Sequence, residues 1–129
     1  MKVCICTTPI RPEPTEFPPF GSMAIIQSLE SIGTEAEFYH LDYHRQSDEQ
    51  MKKYFVNNQF DIVGISAVVS TAYKFTKKLA SIIKDAKPDT IIIVGGGLAT
   101  SAKILHEKCS VDYCVFGDGE KIICNLVKL

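Results

Sequence analysis

Residues 91–101 read IIIVGGGLATS. Four branched apolar side chains are followed at once by three glycines and then by residues that favour a helix. A continuous apolar run of this length is typical of a strand that is buried on both faces of a parallel sheet. Residues 61–66, DIVGIS, form a second apolar run. We therefore predict that both segments are central strands of an α/β protein.

Strand and helix patterns alternate along the rest of the chain. The predicted strands are residues 2–7, 35–42, 61–66, 90–94 and 111–116, and the predicted helices are 20–32, 47–58, 71–86, 99–107 and 120–127. The loop at residues 8–19 holds five prolines, which exclude regular structure. Because crossovers between parallel strands are right-handed, the pattern predicts a three-layer, doubly wound, flavodoxin-like or Rossmann-like α/β fold. Its five-stranded parallel sheet is expected in the order 2-1-3-4-5.

Composition limits the kind of protein and its partners. The 129 residues are 46% hydrophobic and carry a formal net charge of −1. There is no basic field to attract nucleic acid, and no apolar stretch approaches the roughly 20 residues that span a bilayer. We expect one domain over residues 1–129, no nucleic-acid or membrane partner, and a cytoplasmic location. The closing residues NLVKL stop within a predicted helix, so we expect an N-terminal part of a longer protein.

The five cysteines predict buried, reduced thiols. Their number is odd, no pair has the spacing C-x-x-C, and three of them lie in predicted strands (Cys4, Cys6 and Cys114). Such spacing does not favour a metal site or a disulfide framework. We expect all five to remain unpaired.

In doubly wound sheets, ligands bind beyond the carboxyl ends of the strands. In this sequence those ends are rich in glycine and hydroxyl side chains and lack a Ser–His–Asp or Cys–His arrangement. We therefore expect a surface that binds a large ligand and contains no catalytic residue. The candidate binding residues are Thr7, Thr8, Ser66, Ala67, Ser70, Thr71, Gly95, Gly96, Gly97, Gly117, Asp118, Gly119 and Glu120.

The glycines by themselves permit other interpretations. As a dinucleotide fingerprint, Gly95–Gly97 would have Thr100 in place of the third glycine and would follow the fourth strand instead of the first. A Walker phosphate loop is excluded because the chain has no Gly-Lys-Ser or Gly-Lys-Thr. Glycines that serve only tight turns and helix packing are a further alternative. A second bare segment at residues 117–119 favours a ligand that lies along both loops.

Five short motifs carry a family resemblance. They are PPFG at residues 18–21, IG at 32–33 before a strand ending LD at 41–42, FDIVGIS at 60–66, VGG with AT at 94–100, and VDYCVFGDGE at 111–120. In order and spacing they resemble PPLG, GHEVxxxD, PDIVGIS, VGGPHAT and VDYVVxGEGE, the motifs of the N-terminal cobalamin-binding domain of the B12-binding radical SAM enzymes. The resemblance extends over nearly the whole chain.

This resemblance implies cobalamin as the cofactor. The glycines at residues 95–97 and 117–119 would leave room for its nucleotide tail, while Ser66, Ser70 and Thr71 would offer hydroxyls and amides. SAM and a 4Fe-4S cluster would be bound only by a C-terminal radical SAM domain beyond residue 129. The chain alone would then not be catalytic, and the full protein would resemble a B12-dependent radical SAM enzyme such as a methyltransferase.

Two functional alternatives stay open at this point. The fold could serve as an interdomain packing module that binds no cobalamin, or it could be a flavin- or dinucleotide-binding oxidoreductase module.

The histidines give no sign of a metal site. Asp42-Tyr43-His44 begins like the D-x-H-x-x-G sequence by which some cobalamin proteins ligate cobalt. However, Ser47 stands in place of the glycine, and the motif follows the second strand. We expect an exposed His44, a structural His40 inside a strand, and no metal ligand on this chain.

Overall fold

The computed structural model describes residues 2–9, 12–14, 20–67, 72–96, 105, 107, 109–115 and 123–125. Its elements are β1 (Val3–Thr7), α1 (Phe20–Ser31), β2 (Ala36–Tyr39), α2 (Asp48–Asn57), β3 (Ile62–Ser66), α3 (Tyr73–Ala86), β4 (Ile91–Gly95) and β5 (Tyr113–Cys114). Residues 105, 107 and 123–125 are also helical, within the fourth and fifth predicted helices. The other residues of those two helices lie outside the described part.

The strands form one parallel sheet in the order β2-β1-β3-β4-β5, which confirms the predicted topology. The register runs without a bulge from Val3 opposite Ile62 to Thr7 opposite Ser66, and Ser66 in turn lies opposite Gly95. The three central strands therefore end level with one another.

Apolar side chains from both faces of the sheet are buried, as the continuous apolar runs predict. One face packs under α2 and α3, where Met51, Phe55, Leu79, Ile82 and Ile83 are buried. The other face packs under α1 and the helical residues 123–125, with Leu29 and Ile123 in its core. Because successive strand residues point to opposite faces, each central strand contributes to both cores. The thiols of Cys4 and Cys6, for example, lie together on the α2–α3 side, with their Sγ atoms 3.7 Å apart.

Gly64, in the middle of β3, is explained by close packing. A Cβ at this position would lie 2.9 Å from Cδ1 of Ile5 and 3.6 Å from Cδ1 of Ile123. The glycine of the FDIVGIS motif therefore makes room for the neighbouring strand and for the last helix.

Two motif carboxylates hold the amino-terminal edge of the sheet. Asp61 accepts hydrogen bonds from the Lys2 backbone N–H (2.7 Å) and the Lys87 ammonium (2.9 Å), and these donors lower the pKa of Asp61. Asp112 accepts from the Ile92 backbone N–H (2.8 Å) and from Lys84 (2.9 Å). Both carboxylates are on the edge opposite the expected ligand, so their role is structural.

The predicted strand 35–42 is too long, because β2 ends at Tyr39. The backbone then turns on itself: the Leu41 N–H donates to the Tyr39 carbonyl (3.0 Å), and the His44 N–H donates to the His40 carbonyl (2.8 Å). Groups used in this turn cannot extend the ladder. The placement of His40 inside a strand is therefore wrong.

The other four strands also differ from the predicted bounds, and the first and third each begin one residue later, at Val3 and Ile62. The fourth strand is residues 91–95 instead of 90–94, so Gly95 is its last residue and not the first residue of the loop. The fifth is only Tyr113–Cys114 within the predicted 111–116, with Phe116 outside the described residues.

None of the helices in the described segments is long and apolar enough to cross a membrane.

Candidate functional site: the carboxyl rim of the sheet

Six residues lie together at the carboxyl ends of β1, β3 and β4, and we call this group the carboxyl rim. They are Thr7, Thr8, Ser66, Ala67, Gly95 and Gly96. Hydrogen bonds tie its members together. The Thr8 hydroxyl donates to the Ser66 carbonyl at 2.9 Å, and the Ala67 N–H donates to the Gly95 carbonyl at 2.9 Å. The ends of three strands thus form one continuous edge.

The rim lies at the switch point of the fold. From β1 the chain crosses to β2 on one side, and β3 then pairs with β1 on the other side. The connections above the two strands diverge to opposite faces and leave a crevice, where doubly wound proteins bind their ligands. The structure thus brings six of the predicted residues to one place. The others are outside the described residues and stay predictions: Ser70, Thr71, Gly97, Gly117, Asp118, Gly119 and Glu120.

Gly95 and Gly96 have different reasons for lacking a side chain. Gly96 has φ +96°, a conformation that strains any other residue. Gly95 belongs to β4 and has no positive φ, and no atom within the described part of the chain comes within 4 Å of a Cβ built on it. Gly96 is therefore required by the turn, whereas space beside Gly95 is left open.

A polar cluster extends the rim toward β2. The Thr7 hydroxyl accepts from the Asp42 backbone N–H (3.1 Å) and shares a hydrogen bond with Nδ1 of His40 (2.8 Å). Burial lowers the pKa of His40; the carboxylate of Asp42 opposes this shift and His44 adds to it. The bond to Thr7 holds the His40 ring against the end of β1.

Aromatic side chains flank His40 on the outer edge. Its ring stacks with Phe38 at 5.0 Å and with Tyr43 at 5.9 Å between ring centroids. His44 is exposed, as predicted. However, His44 is not the only histidine at a strand end, because His40 directly follows β2 and contacts the rim.

Ser47 is explained by a helix terminus. Its hydroxyl accepts from the Gln50 backbone N–H (3.2 Å), and the Gln50 side chain accepts from the Ser47 N–H (2.8 Å), which makes a capping box for α2. The residue that replaces the glycine of D-x-H-x-x-G therefore begins a helix.

Among the described residues, no three His, Cys, Asp or Glu side chains are grouped to hold a metal ion.

Arg45 belongs to this part of the structure, although no motif in the sequence marks it. Its guanidinium bonds the Asp42 carboxylate (3.1 Å) and the carbonyls of Asp42 (2.6 Å), Pro12 (3.0 Å) and Glu13 (2.8 Å). The proline-rich loop after β1 is thereby fastened to the turn after β2. Pro12 and Glu13 are 33 and 32 residues from Arg45 in the sequence, and three of the four acceptors are main-chain atoms, so no local motif marks the contact.

The fold is that of a doubly wound α/β domain, with the carboxyl rim at its switch point. A model of the B12 binding domain family matches residues 13–127. The chain belongs to this family, as the motifs predict. No curated protein matches the sequence.

Solved structures share the fold over almost the entire chain. The radical S-adenosylmethionine methyltransferase TsrM from Kitasatospora setae, with cobalamin and a 4Fe-4S cluster bound, superposes with a TM-score of 0.81 at 24% identity. The cobalamin-dependent S-adenosylmethionine radical enzyme OxsB, with aqua-cobalamin and S-adenosylmethionine bound, gives 0.80 at 18%. Each match covers 98% of this chain, but the chain spans only 24% of TsrM and 18% of OxsB.

A smaller relative has the same fold. A cobalamin-binding protein from Desulfitobacterium hafniense matches with a TM-score of 0.64 at 19% identity, over 96% of this chain and 58% of that protein.

Proposed function

We propose that this chain binds cobalamin at its carboxyl rim and serves as the cofactor-carrying domain of a radical SAM protein. The family match over residues 13–127 supports cobalamin over a flavin or a dinucleotide. The fold shared with TsrM and OxsB supports a radical SAM context.

The open space beside Gly95 is the observation that carries the proposal. A glycine inside a strand costs stability relative to a residue with a side chain. At Gly64 the cost is explained by Ile5 and Ile123, and at Gly96 by positive φ. At Gly95 the described residues offer neither reason. A bare backbone at the end of a central strand is suited to the close approach of a large cofactor.

The chain's own residues would bind the cofactor and would not react with it. Thr7 and Thr8 are buried, and their hydroxyls are engaged within the fold. The half-buried Ser66 and Gly95 are therefore the central accessible members of the rim, flanked by the exposed Gly96. In our proposal they face the cofactor, with the predicted Ser70, Thr71 and residues 117–120 completing the surface. Bound cobalamin would supply a cobalt centre able to carry a methyl group.

A radical SAM domain, in the same polypeptide or as a separate chain, would supply SAM, the 4Fe-4S cluster and the substrate site. The 4Fe-4S cluster bound in TsrM and the S-adenosylmethionine bound in OxsB support this proposal, since the chain covers a quarter or less of either protein. We also place the protein in the cytoplasm, because five unpaired cysteines suit a reducing compartment.

The proposal is tested by titrating the purified chain with hydroxocobalamin, FMN and NAD in separate equilibrium dialysis experiments, with absorbance as the readout. We expect saturable binding of one cobalamin per chain and none of the other two ligands. Binding of FMN or NAD instead would identify an oxidoreductase module, and binding of none would leave a packing module. Either result would overturn the proposal.

A further inference from the structure

The Asp42–Arg45 pair beside the rim is built like an anchor. The Asp42 side chain is only 4% exposed, and that of Arg45 is 28% exposed. Burying a carboxylate is costly unless it is paired and hydrogen-bonded, so this pair must be compensated locally. The salt bridge (3.1 Å) and the bond from Arg45 Nε to the Asp42 carbonyl (2.6 Å) hold the guanidinium in a fixed orientation.

From that orientation, Arg45 reaches a different segment of the chain. Nη1 donates to the Pro12 carbonyl at 3.0 Å and Nη2 to the Glu13 carbonyl at 2.8 Å. The described residues 12–14 are exposed, and they belong to the same β1–α1 connection that begins at Thr8. The Asp42 N–H also bonds the Thr7 hydroxyl. The turn after β2 therefore holds the β1–α1 connection at two points, first at Thr7 and again at Pro12 and Glu13.

We propose that Arg45 is a positioning residue that fixes the β1–α1 loop beside the carboxyl rim and thereby slows the dissociation of bound cobalamin. This inference rests on the proposed function. Within the described residues, the donors of Arg45 are directed at the carbonyls of Pro12 and Glu13 and at Asp42, which fits a part in ordering the protein. A loop that is already ordered loses less conformational entropy when the ligand binds. Changes of this kind act mainly on the dissociation rate.

The chemistry of arginine is specific for this role. Its planar fork satisfies several acceptors at once, whereas a lysine ammonium is a point charge. Arg45→Lys therefore keeps a positive charge near the buried Asp42 carboxylate but cannot reach both loop carbonyls. It is the informative variant, because Arg45→Ala also leaves a buried charge without its partner and lowers stability.

The experiment compares the parent chain with Arg45→Lys, Arg45→Ala and the control Lys52→Ala. Lys52 is an exposed α2 residue that pairs only loosely with Glu49 (3.8 Å). Amide hydrogen exchange of the non-proline residues of segment 8–14 (Thr8, Ile10, Arg11 and Glu13) is measured without ligand. The cobalamin dissociation rate is measured by displacement with excess unlabelled cofactor. We expect faster exchange in this loop and dissociation about tenfold faster in both Arg45 variants, the size of effect that one charge-assisted hydrogen bond supports. The control should match the parent chain.

The two readouts separate this inference from the proposed function. Unchanged amide exchange of the loop in Arg45→Lys would refute the claim that Arg45 orders the loop, whatever ligand binds to the rim. Faster exchange with an unchanged dissociation rate would refute its effect on the ligand. If the parent chain bound no cobalamin, the proposed function and the effect on dissociation would both fail, while the exchange data would still decide whether Arg45 holds the loop.

Discussion

Gly95 and Gly96 are neighbours, yet a side chain has different consequences at the two positions. We predict that Gly95→Val abolishes cobalamin binding and leaves the free energy of unfolding within about 0.5 kcal/mol of the parent value, because the described surroundings leave space and the strand suits valine. Gly96→Val should lower that free energy by about 1 kcal/mol or more, since φ is +96°. Urea unfolding and cobalamin titration of the same variants measure both effects.

The pair serves as its own control. If Gly95→Val binds cobalamin as well as the parent chain, the rim does not face the cofactor. If Gly95→Val is destabilised as much as Gly96→Val, the fold itself requires Gly95, and the open space beside it does not indicate a ligand site.

The second prediction at the residue scale concerns His40. Its pKa lies below the ordinary histidine value because burial disfavours the charged ring. As pH falls through about 6.5, the unfolded chain takes up a proton that the folded chain does not. Stability is therefore complete above this pH and decreases as pH falls toward the lowered pKa.

Urea midpoints at pH 7.5, 6 and 5 check this effect in the parent chain, in His40→Gln and in His44→Gln. We expect His40→Gln to show a smaller loss of stability over this range than the parent chain. Because the exposed His44 helps to lower the pKa of His40, His44→Gln should also reduce this loss, but by less than His40→Gln does. Equal slopes in all three proteins would contradict the assignment to His40.

At the scale of elements, the sequence is most informative where a single physical signal dominates. The apolar runs of β3 and β4 reveal central strands, since only strands buried on both faces have no polar side. Residues 40–42 mislead because their alternation continues that of β2, whereas the backbone there begins a local turn. Propensity does not distinguish these two uses of the same residues.

The candidate site was predictable in one part and hidden in another. Hydroxyl and glycine residues at strand ends follow from the topology, because parallel strands bring their carboxyl ends to one edge. The hydrogen bond between His40 and Thr7 joins residues that are 33 positions apart in the sequence. The bond from Arg45 to Pro12 spans the same separation. Such contacts depend on where two loops meet in space, which neither composition nor periodicity encodes.

The capping box of α2 gives a prediction for a single element. Ser47→Ala should lower the free energy of unfolding by about 1 kcal/mol, because an N–H of the first turn loses its acceptor. Ser81→Ala, in the exposed interior of α3, is the control and should change it by less than about 0.5 kcal/mol. Chemical denaturation of both variants tests this. An equal effect of the two substitutions would show that the cap contributes nothing.

The burial of the cysteines predicts how the whole molecule reacts with thiol reagents. Cys4 and Cys6 are fully buried, and burial raises the pKa of Cys6 well above its ordinary value. Both thiols should react only when the chain opens globally, whereas Cys109, Cys114 and Cys124 are half-buried and should react faster. Timed labelling and mass spectrometry of the native chain distinguish the two groups. Denatured without reductant, the chain should show five thiols; three would mean that a disulfide forms.

Cobalamin should stabilise the whole molecule by mass action, because it binds the folded chain and not the unfolded one. At a free concentration about one hundred times the dissociation constant, the gain is about 2.7 kcal/mol, and each further tenfold increase adds about 1.4 kcal/mol. For a domain of 129 residues we expect the melting temperature to rise by roughly 10 °C and then by roughly 5 °C per tenfold increase. FMN at the same concentrations is the control. A cobalamin shift that does not grow with concentration, or an equal shift with FMN, would show that the ligand does not select the folded rim.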